Sequence, residues 1–342
     1  MTSTRQLVPL DGSLCFAECI DFNVEHNSDL PFWTFSPDET PEEPSVVTHL
    51  QFARAAQRAA HLMDARIPSS RPQRQVVAII ALLDSMTYQT TVAALMLIGH
   101  IPFPISSRNS PAAVVNLLEK TSCKFMITTR NTLKPLLDEV ELLLSEAKSG
   151  LDLQIEEAPA LREVFPQFMG GADEGDVRPW LQSLTRPDPD DLCLYIHSSG
   201  STGFPKAIPW THRLVMQWAS LLDNYRRTFT TIAVMPLPPF HTMGLFTQLF
   251  YPIFENLTAA IYPPRVFSPE QIPAIPSPDN VIQHMKRTRS KATITVPAFL
   301  QAWIQSDSAI DVLKTLDCVQ YSGGAISRKV GDRFCANLVS IY

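Results

Sequence analysis

The chain has 342 residues, 45% of them hydrophobic and 18% charged, with a formal net charge of −6 and a pI near 5.8. That composition excludes disordered, collagen-like and coiled-coil classes, and the acidic balance argues against a nucleic-acid binder, whose phosphate contacts need clustered Lys and Arg. Prolines number 29 and glycines only 12, so a cluster of glycines marks backbone that needs them.

Residues 1–45 are polar and punctuated by Pro31, Pro37, Pro41 and Pro44, with acidic Asp38, Glu39, Glu42 and Glu43. They read as an irregular, extended arm, partly packed through Phe32, Trp33 and Phe35. No basic segment followed by an apolar one opens the chain, so no signal peptide is expected. Six cysteines are too few for a disulfide scaffold. Cys15 and Cys19 have no second Cys/His pair at zinc spacing. Reduced thiols and a cytoplasmic location are the expectation. A helix starts at Thr48, with Leu50, Ala53, Ala56, Ala60 and Met63 at helical spacing, and Pro68 ends it.

An α/β rhythm follows. Val76–Ile80 is a continuous apolar run, as in a strand buried on both faces of a parallel sheet. Thr87–Ile98 is a helix closed by Gly99. The whole stretch from Val76 to Ile98 is interrupted by Asp84, Ser85, Thr87 and Gln89, which breaks up a membrane span. Ile101–Ile105 is extended, because each Pro pushes its predecessor out of the helical region. Pro111–Lys120 is a helix capped by Ser110, Lys124–Thr128 a strand and Leu133–Lys148 a helix. The alternation is that of a doubly wound parallel sheet. Residues 149–190, with Gly150, Gly170, Gly171, Gly175 and the run Pro187–Asp191, form a seam. The rhythm resumes with strands at Leu192–Ile196, Ile232–Met235, Thr258–Tyr262, Ala292–Thr295, Asp317–Tyr321 and Leu338–Ile341. Helices are expected at Trp210–Arg227, Met243–Phe254, Asp279–Arg287, Pro297–Ile304 and Arg328–Cys335. The basic run Lys286, Arg287, Arg289 and Lys291 reads as a solvated helix end.

The chemistry sits at Ser198-Ser199-Gly200-Ser201-Thr202-Gly203-Phe204-Pro205-Lys206, directly after a strand. Four hydroxyls, two glycines and a lysine in nine residues suit a polyphosphate-binding loop. Gly200 and Gly203 leave room for close backbone approach, successive N–H groups form an anion nest, Lys206 supplies a point charge, and Thr202 is placed to reach a phosphate-bound Mg²⁺. The bland alternative is a polar Ser/Gly turn between strand and helix. Neither G-x-x-x-x-G-K-[ST] nor G-x-G-x-x-G nor G-x-S-x-G is present.

This loop resembles the signature T-S-G-[ST]-T-G-x-P-K-G of the adenylate-forming (AMP-binding) superfamily: acyl-CoA and aryl-CoA ligases, luciferases and the adenylation domains of peptide synthetases. Ser198 stands where Thr is commoner, and Ala207 replaces the final Gly. Three further segments fit in order: Pro238–Leu245 resembles P-x-F-H-x-x-G, Thr295–Leu300 resembles V-P-x-x-L, and Tyr321–Ala325 resembles S-G-G-A. His197 and Ala207-Ile208-Pro209 are similar to the adenylation domains of fungal synthetase-like carboxylic acid reductases, which pair adenylation with a carrier and a reductase domain.

The resemblance implies two mainly parallel sheets flanked by helices, the large N-terminal domain of an adenylate-forming enzyme spanning 46–342. It implies ATP and Mg²⁺ as reactants, with an acyl-adenylate formed from a carboxylic acid. The acyl group then passes to a carrier-protein phosphopantetheine thiol, or to CoA. The cofactor-binding set would be Ser198, Ser199, Gly200, Ser201, Thr202, Gly203 and Lys206 for the phosphates, with Gly323, Gly324 and Ala325 as a side-chain-free ledge for adenine or substrate. Thr202 would serve the metal, and Lys206 and His241 the reacting groups. His241 reads either as a wall beside the carboxylate or as a packed histidine near Phe240 and Phe246. Gly323-Gly324 reads equally as an ordinary turn, and Phe299 and Tyr321 as pocket or core. Amino-acid-activating domains usually carry Asp at the His241 position to pair with an α-ammonium, so an aryl, keto or fatty acid is expected. The Y-G-x-T-E motif, the ribose-binding Asp and the small C-terminal domain with its lysine fall outside the 342 residues, Tyr342 standing where that motif would begin. The chain by itself is expected to bind nucleotide weakly, turn over negligibly and be poorly soluble. A truncated, non-catalytic AMP-binding protein is the alternative.

Overall fold

The computed structural model describes residues 5–67, 74–146, 150–175, 186–198, 203–220 and 230–337. In chain order, α1 (Phe16–Asn27), β1 (Pro31–Phe35), β2 (Ser45–Thr48) and α2 (His49–Arg66) open the fold. There follow β3 (Val76–Ile80), α3 (Ser85–Leu97), β4 (Ile101–Pro104), α4 (Pro111–Lys120), β5 (Phe125–Thr128), α5 (Arg130–Glu146), β6 (Gln154–Glu157) and the short α6 (Leu161–Val164). Next come β7 (Leu192–His197), β8 (Ala207–Thr211), α7 (His212–Ser220), β9 (Thr231–Ala233), α8 (Thr242–Leu245), a π-turn (Phe246–Phe250), α9 (Tyr251–Glu255) and β10 (Thr258–Ala260). The described chain closes with α10 (Pro278–Arg287), β11 (Ala292–Thr295), α11 (Pro297–Trp303), α12 (Asp307–Leu313), β12 (Cys318–Tyr321) and α13 (Arg328–Asn337).

Two main sheets result. One is entirely parallel, in the order β4-β3-β5-β6; the other runs β12-β11-β9-β10-β1-β2 and is parallel except for the β1–β2 edge. The expectation of a strand buried on both faces holds residue by residue. Val77 and Ile79 of β3 join the large core shared with α2, α3 and the six-stranded sheet, while Ala78 and Ile80 join a second core under α4 and α5. The apolar helix α3 is buried around nearly its whole circumference, as a helix packed on all sides must be. That is where the longest apolar stretch of the sequence goes: among the described residues no helix is long and apolar enough to cross a membrane.

Caps behave as read. Ser110 Oγ accepts from Ala113 N–H with Pro111 at the first position of α4, and Thr48 forms a capping box with Gln51. Two expectations are corrected. The arm over 1–45 is not irregular: its described residues hold α1, β1 and the first residue of β2, and Phe32, Trp33 and Phe35 are core residues of β1 rather than occasional anchors. Its polar look comes partly from buried asparagines. Asn23 Nδ2 donates to the carbonyls of Cys19 and Ile253, and Asn27 donates to Gln6 O and to Asn23 Oδ1, so α1 is stitched to α9 and to the first residues by hydrogen bonds. The second correction concerns residues 198–206. They do not join a strand to a helix. β7 and β8 pair antiparallel, His197 opposite Ala207 and Ile196 opposite Ile208, so the segment is a hairpin loop and Trp210 lies in a strand, with the helix starting at His212.

Candidate functional site

In the six-stranded sheet β9, β11 and β12 are adjacent and parallel, so their carboxyl ends share one rim, where ligands of open α/β sheets collect. Three of the motif segments leave that rim: the loop leading to His241 after β9, Val296-Pro297 after β11, and Ser322–Ala325 after β12. The last two are tied directly. Ser322 N–H donates to Thr295 O at 3.1 Å, and a Cβ on Gly324 would stand 3.8 Å from Pro297 Cγ. Ser322, Gly323, Gly324 and Ala325 are all exposed, which suits a surface open to a ligand. Phe299 packs edge-on against Trp303 and Tyr321 borders the same core, so both serve packing, half-buried rather than lining an open wall.

His241 opens α8. Its Nδ1 accepts from Met243 N–H at 3.3 Å, its own N–H donates to Pro238 O at 3.0 Å, and its carbonyl receives Leu245 N–H at 2.8 Å. Partial desolvation on the side facing the protein, then the neighbouring His197, hold its pKa below the ordinary histidine value. With Nδ1 used as an acceptor on a neutral ring, the proton stands on Nε2. His241 therefore presents an N–H donor, suited to an oxyanion, and the ring is not a packed core residue: it is exposed. Gly244, three residues on, has no room for a side chain. A Cβ there would lie 1.9 Å from Pro238 O.

The hairpin loop closes on itself at its base. Ser198 N–H donates to Lys206 O at 3.1 Å and Lys206 N–H donates to Ser198 Oγ at 3.0 Å. Ser198 Oγ thus accepts within the loop mouth, which leaves its O–H as a donor. Gly203 has φ +155°, Lys206 is exposed with no ion pair to a described residue, and Ala207, paired in the ladder, is extended, so the missing final glycine costs the backbone nothing. Ser199, Gly200, Ser201 and Thr202 lie outside the described residues. Among the described residues no group of three or more His, Cys, Asp or Glu side chains converges on a metal site.

Two features were not legible in the motifs. His197, at the end of β7, uses both ring nitrogens. Nε2 accepts from Ser106 N–H at 3.1 Å and Nδ1 lies 3.0 Å from Ser198 O, as its donor. Burial lowers its pKa, in keeping with a neutral ring that ties the loop mouth to the segment following β4. Behind His241, the buried amides of Gln89 and Gln248 hold the segment before it; a lone glutamine has no spacing signal to announce it.

Residues 23–342 match the AMP-binding enzyme family. The chain belongs to that family. It is 39% identical over 347 residues to the adenylate-forming reductase Nps11 of Serpula lacrymans, covering 99% of this chain and 31% of that protein. Nps9 of the same fungus is 33% identical, again over 31% of its length, and a carboxylic acid reductase of Neurospora crassa is 27% identical over 86% of this chain. The chain therefore spans about a third of the length of these relatives. Solved structures agree in fold. The N-terminal domain of FACL13 from Mycobacterium tuberculosis superposes with a TM-score of 0.70 at 17% identity, covering 96% of this chain and 74% of that one. The Bacillus subtilis O-succinylbenzoate Coenzyme A synthetase, solved in complex with AMP, gives 0.65 at 17%, covering 94% and 71%. The AMP-binding fold read from the four motifs is thus the fold observed.

Proposed function

We propose that this AMP-binding chain activates a carboxylic acid lacking an α-amino group with Mg²⁺·ATP, forming an acyl-adenylate and releasing pyrophosphate. The observation that carries the reading is the gathering of His241, Pro297 and Ser322–Ala325 at one sheet rim. In this reading the carboxylate oxygen attacks the α-phosphorus, and pyrophosphate leaves with the bond it held. The chain's part is to hold two anions together and offset their charge. Lys206 and the loop from Ser198 through Ser199, Gly200, Ser201, Thr202 and Gly203 take the β- and γ-phosphates, with Thr202 toward the nucleotide's Mg²⁺. His241 Nε2–H faces the carboxylate, and Gly323, Gly324 and Ala325 form the ledge.

An imidazole in place of a carboxylate at position 241 gives no partner to an α-ammonium, which favours aryl, keto or fatty acids. The acceptor in this reading is a carrier-bound phosphopantetheine thiol, on the resemblance of His197 and Ala207-Ile208-Pro209 to synthetase-like reductases, with CoA as the alternative. A cytoplasmic location fits those substrates. Calorimetric titration with Mg²⁺·ATP tests the phosphate assignment. Lys206→Ala should weaken binding by about tenfold, the worth of one charge-assisted contact of about 1.5 kcal/mol; unchanged affinity would remove Lys206 from the site.

A further inference from the structure

Residues 234–240 must reach His241 without a ladder of their own. Val234 N–H donates to Ala260 O and Leu237 N–H to Val234 O, but Pro236, Pro238 and Pro239 have no N–H to donate, so beyond Leu237 the segment is held chiefly by its carbonyls. Two glutamines supply the donors. Gln89, in α3, is sealed from solvent, and its Nε2 donates to Pro239 O at 3.1 Å and to Gln248 Oε1 at 3.1 Å. Gln248, in the π-turn, is equally buried. Its Nε2 donates to Leu237 O at 2.8 Å, and its own carbonyl receives Trp33 Nε1–H at 2.7 Å. The carbonyls two and four residues before His241 therefore hang on a single amide pair.

Two costs accompany this arrangement. Gln89 Oε1 is buried with no partner among the described residues, a penalty that an apolar side chain of the same size would avoid. The π-turn inserts one residue into the helix and so re-aims Gln248 by about 100° relative to an unbroken α-helix. Neither is what a core selected for stability alone would retain.

We propose that Gln89 and Gln248 act together as positioning residues that fix the place and tautomer of His241. The inference rests on the reading of His241 as the donor beside the carboxylate, and the test separates the two. Imidazole ¹⁵N spectra of the full chain report the tautomer of His241 directly. Wild type should show the Nε2–H form alone. Gln89→Met keeps the volume and removes both donors, and should split the His241 signal between tautomers while lowering affinity for a benzoyl sulfamoyl-adenosine by about tenfold. Adding Gln248→Met should make the loss no worse, as expected of groups acting as one unit. Ile127→Ala, in the first sheet, should lower the melting temperature and leave His241 unchanged. Should Gln89→Met not fold, Gln89→Asn withdraws the amide by one methylene and gives the same readout. A His241 signal identical in Gln89→Met and wild type would overturn the proposal and reduce the pair to core polar residues. Wild type that fails to bind the analogue refutes the proposed function instead, and the imidazole spectra still decide the positioning role.

Discussion

Gly244→Ala is the sharpest perturbation the structure offers. The added Cβ would sit 1.9 Å from Pro238 O and 2.8 Å from its carbon, about 1.5 Å short of the 3.4 Å at which ordinary contact begins. The obstructing atoms are backbone and cannot swing aside. That carbonyl also accepts the His241 N–H, and the neighbouring Pro239 carbonyl is pinned by Gln89. Relief must come from moving α8 or the loop by more than an ångström. Overpacking of this kind costs about 3 kcal/mol, or a melting temperature lowered by about 4 °C in a chain this size. A shift of that size at His241 should weaken binding of an acyl-adenylate analogue by up to about 100-fold. Gly331→Ala is the matched control. In α13 its Cβ would meet Ile326 Cδ1 at 3.5 Å, ordinary contact, so helix propensity should make it neutral or stabilising by about 0.5–1 kcal/mol. Differential scanning calorimetry on both variants decides. Equal melting temperatures for Gly244→Ala and Gly331→Ala would refute the steric reasoning.

Two further outcomes follow from the site and its surroundings. Burial holds His284 at about 4 and His49 at about 3, and lowers His212 to about 4 as well. The unfolded chain takes up protons first as the pH falls through about 6.5, so stability is fully present above that value and is lost toward the folded pKa. For the buried His49 and His284 the loss is about 1 kcal/mol each between pH 7 and 5.5, a melting temperature about 3 °C lower at pH 5.5; thermal melts that stay level across that range contradict it. His241→Asp keeps a side-chain acceptor for Met243 N–H, and Asp is a strong N-cap residue, so the variant should fold. It should narrow the preference for non-amino over α-amino acyl analogues by about tenfold, roughly 1.4 kcal/mol, as measured by competitive titration; an unaltered preference would detach position 241 from selectivity.

The sequence exposed the parts of the fold governed by local rules. Continuous apolar runs such as Val76–Ile80 meant burial on both faces, and Ser110-Pro111 marked a helix start to the residue. What it hid depended on long-range pairing. β8 contains Pro209 and ends at Trp210-Thr211, and only its pairing with β7 shows that the phosphate-loop segment turns a hairpin. α1 was masked by asparagines whose partners lie in the first residues and in α9. α12 did have a local signal, Ser306 ahead of Ala309, Ile310 and Leu313, but the short interval after α11 concealed it. At the candidate site, three of the four motif segments follow strands of one sheet rim, while the contacts of Gln89, Gln248 and Ser106 could be found only from coordinates, because each acts on or through groups far away in sequence.

In the proposed reaction a carboxylic acid without an α-amino group is activated at the rim beside His241. Isothermal titration of the full chain with two acyl sulfamoyl-adenosines, benzoyl and phenylalanyl, is the decisive measurement. Binding of the benzoyl analogue should be saturable and one-to-one, competed by ATP and at least about tenfold tighter than that of the phenylalanyl analogue, whose ammonium finds no carboxylate and stays desolvated at a cost. Tighter binding of the phenylalanyl analogue, or saturable binding of neither, would contradict it.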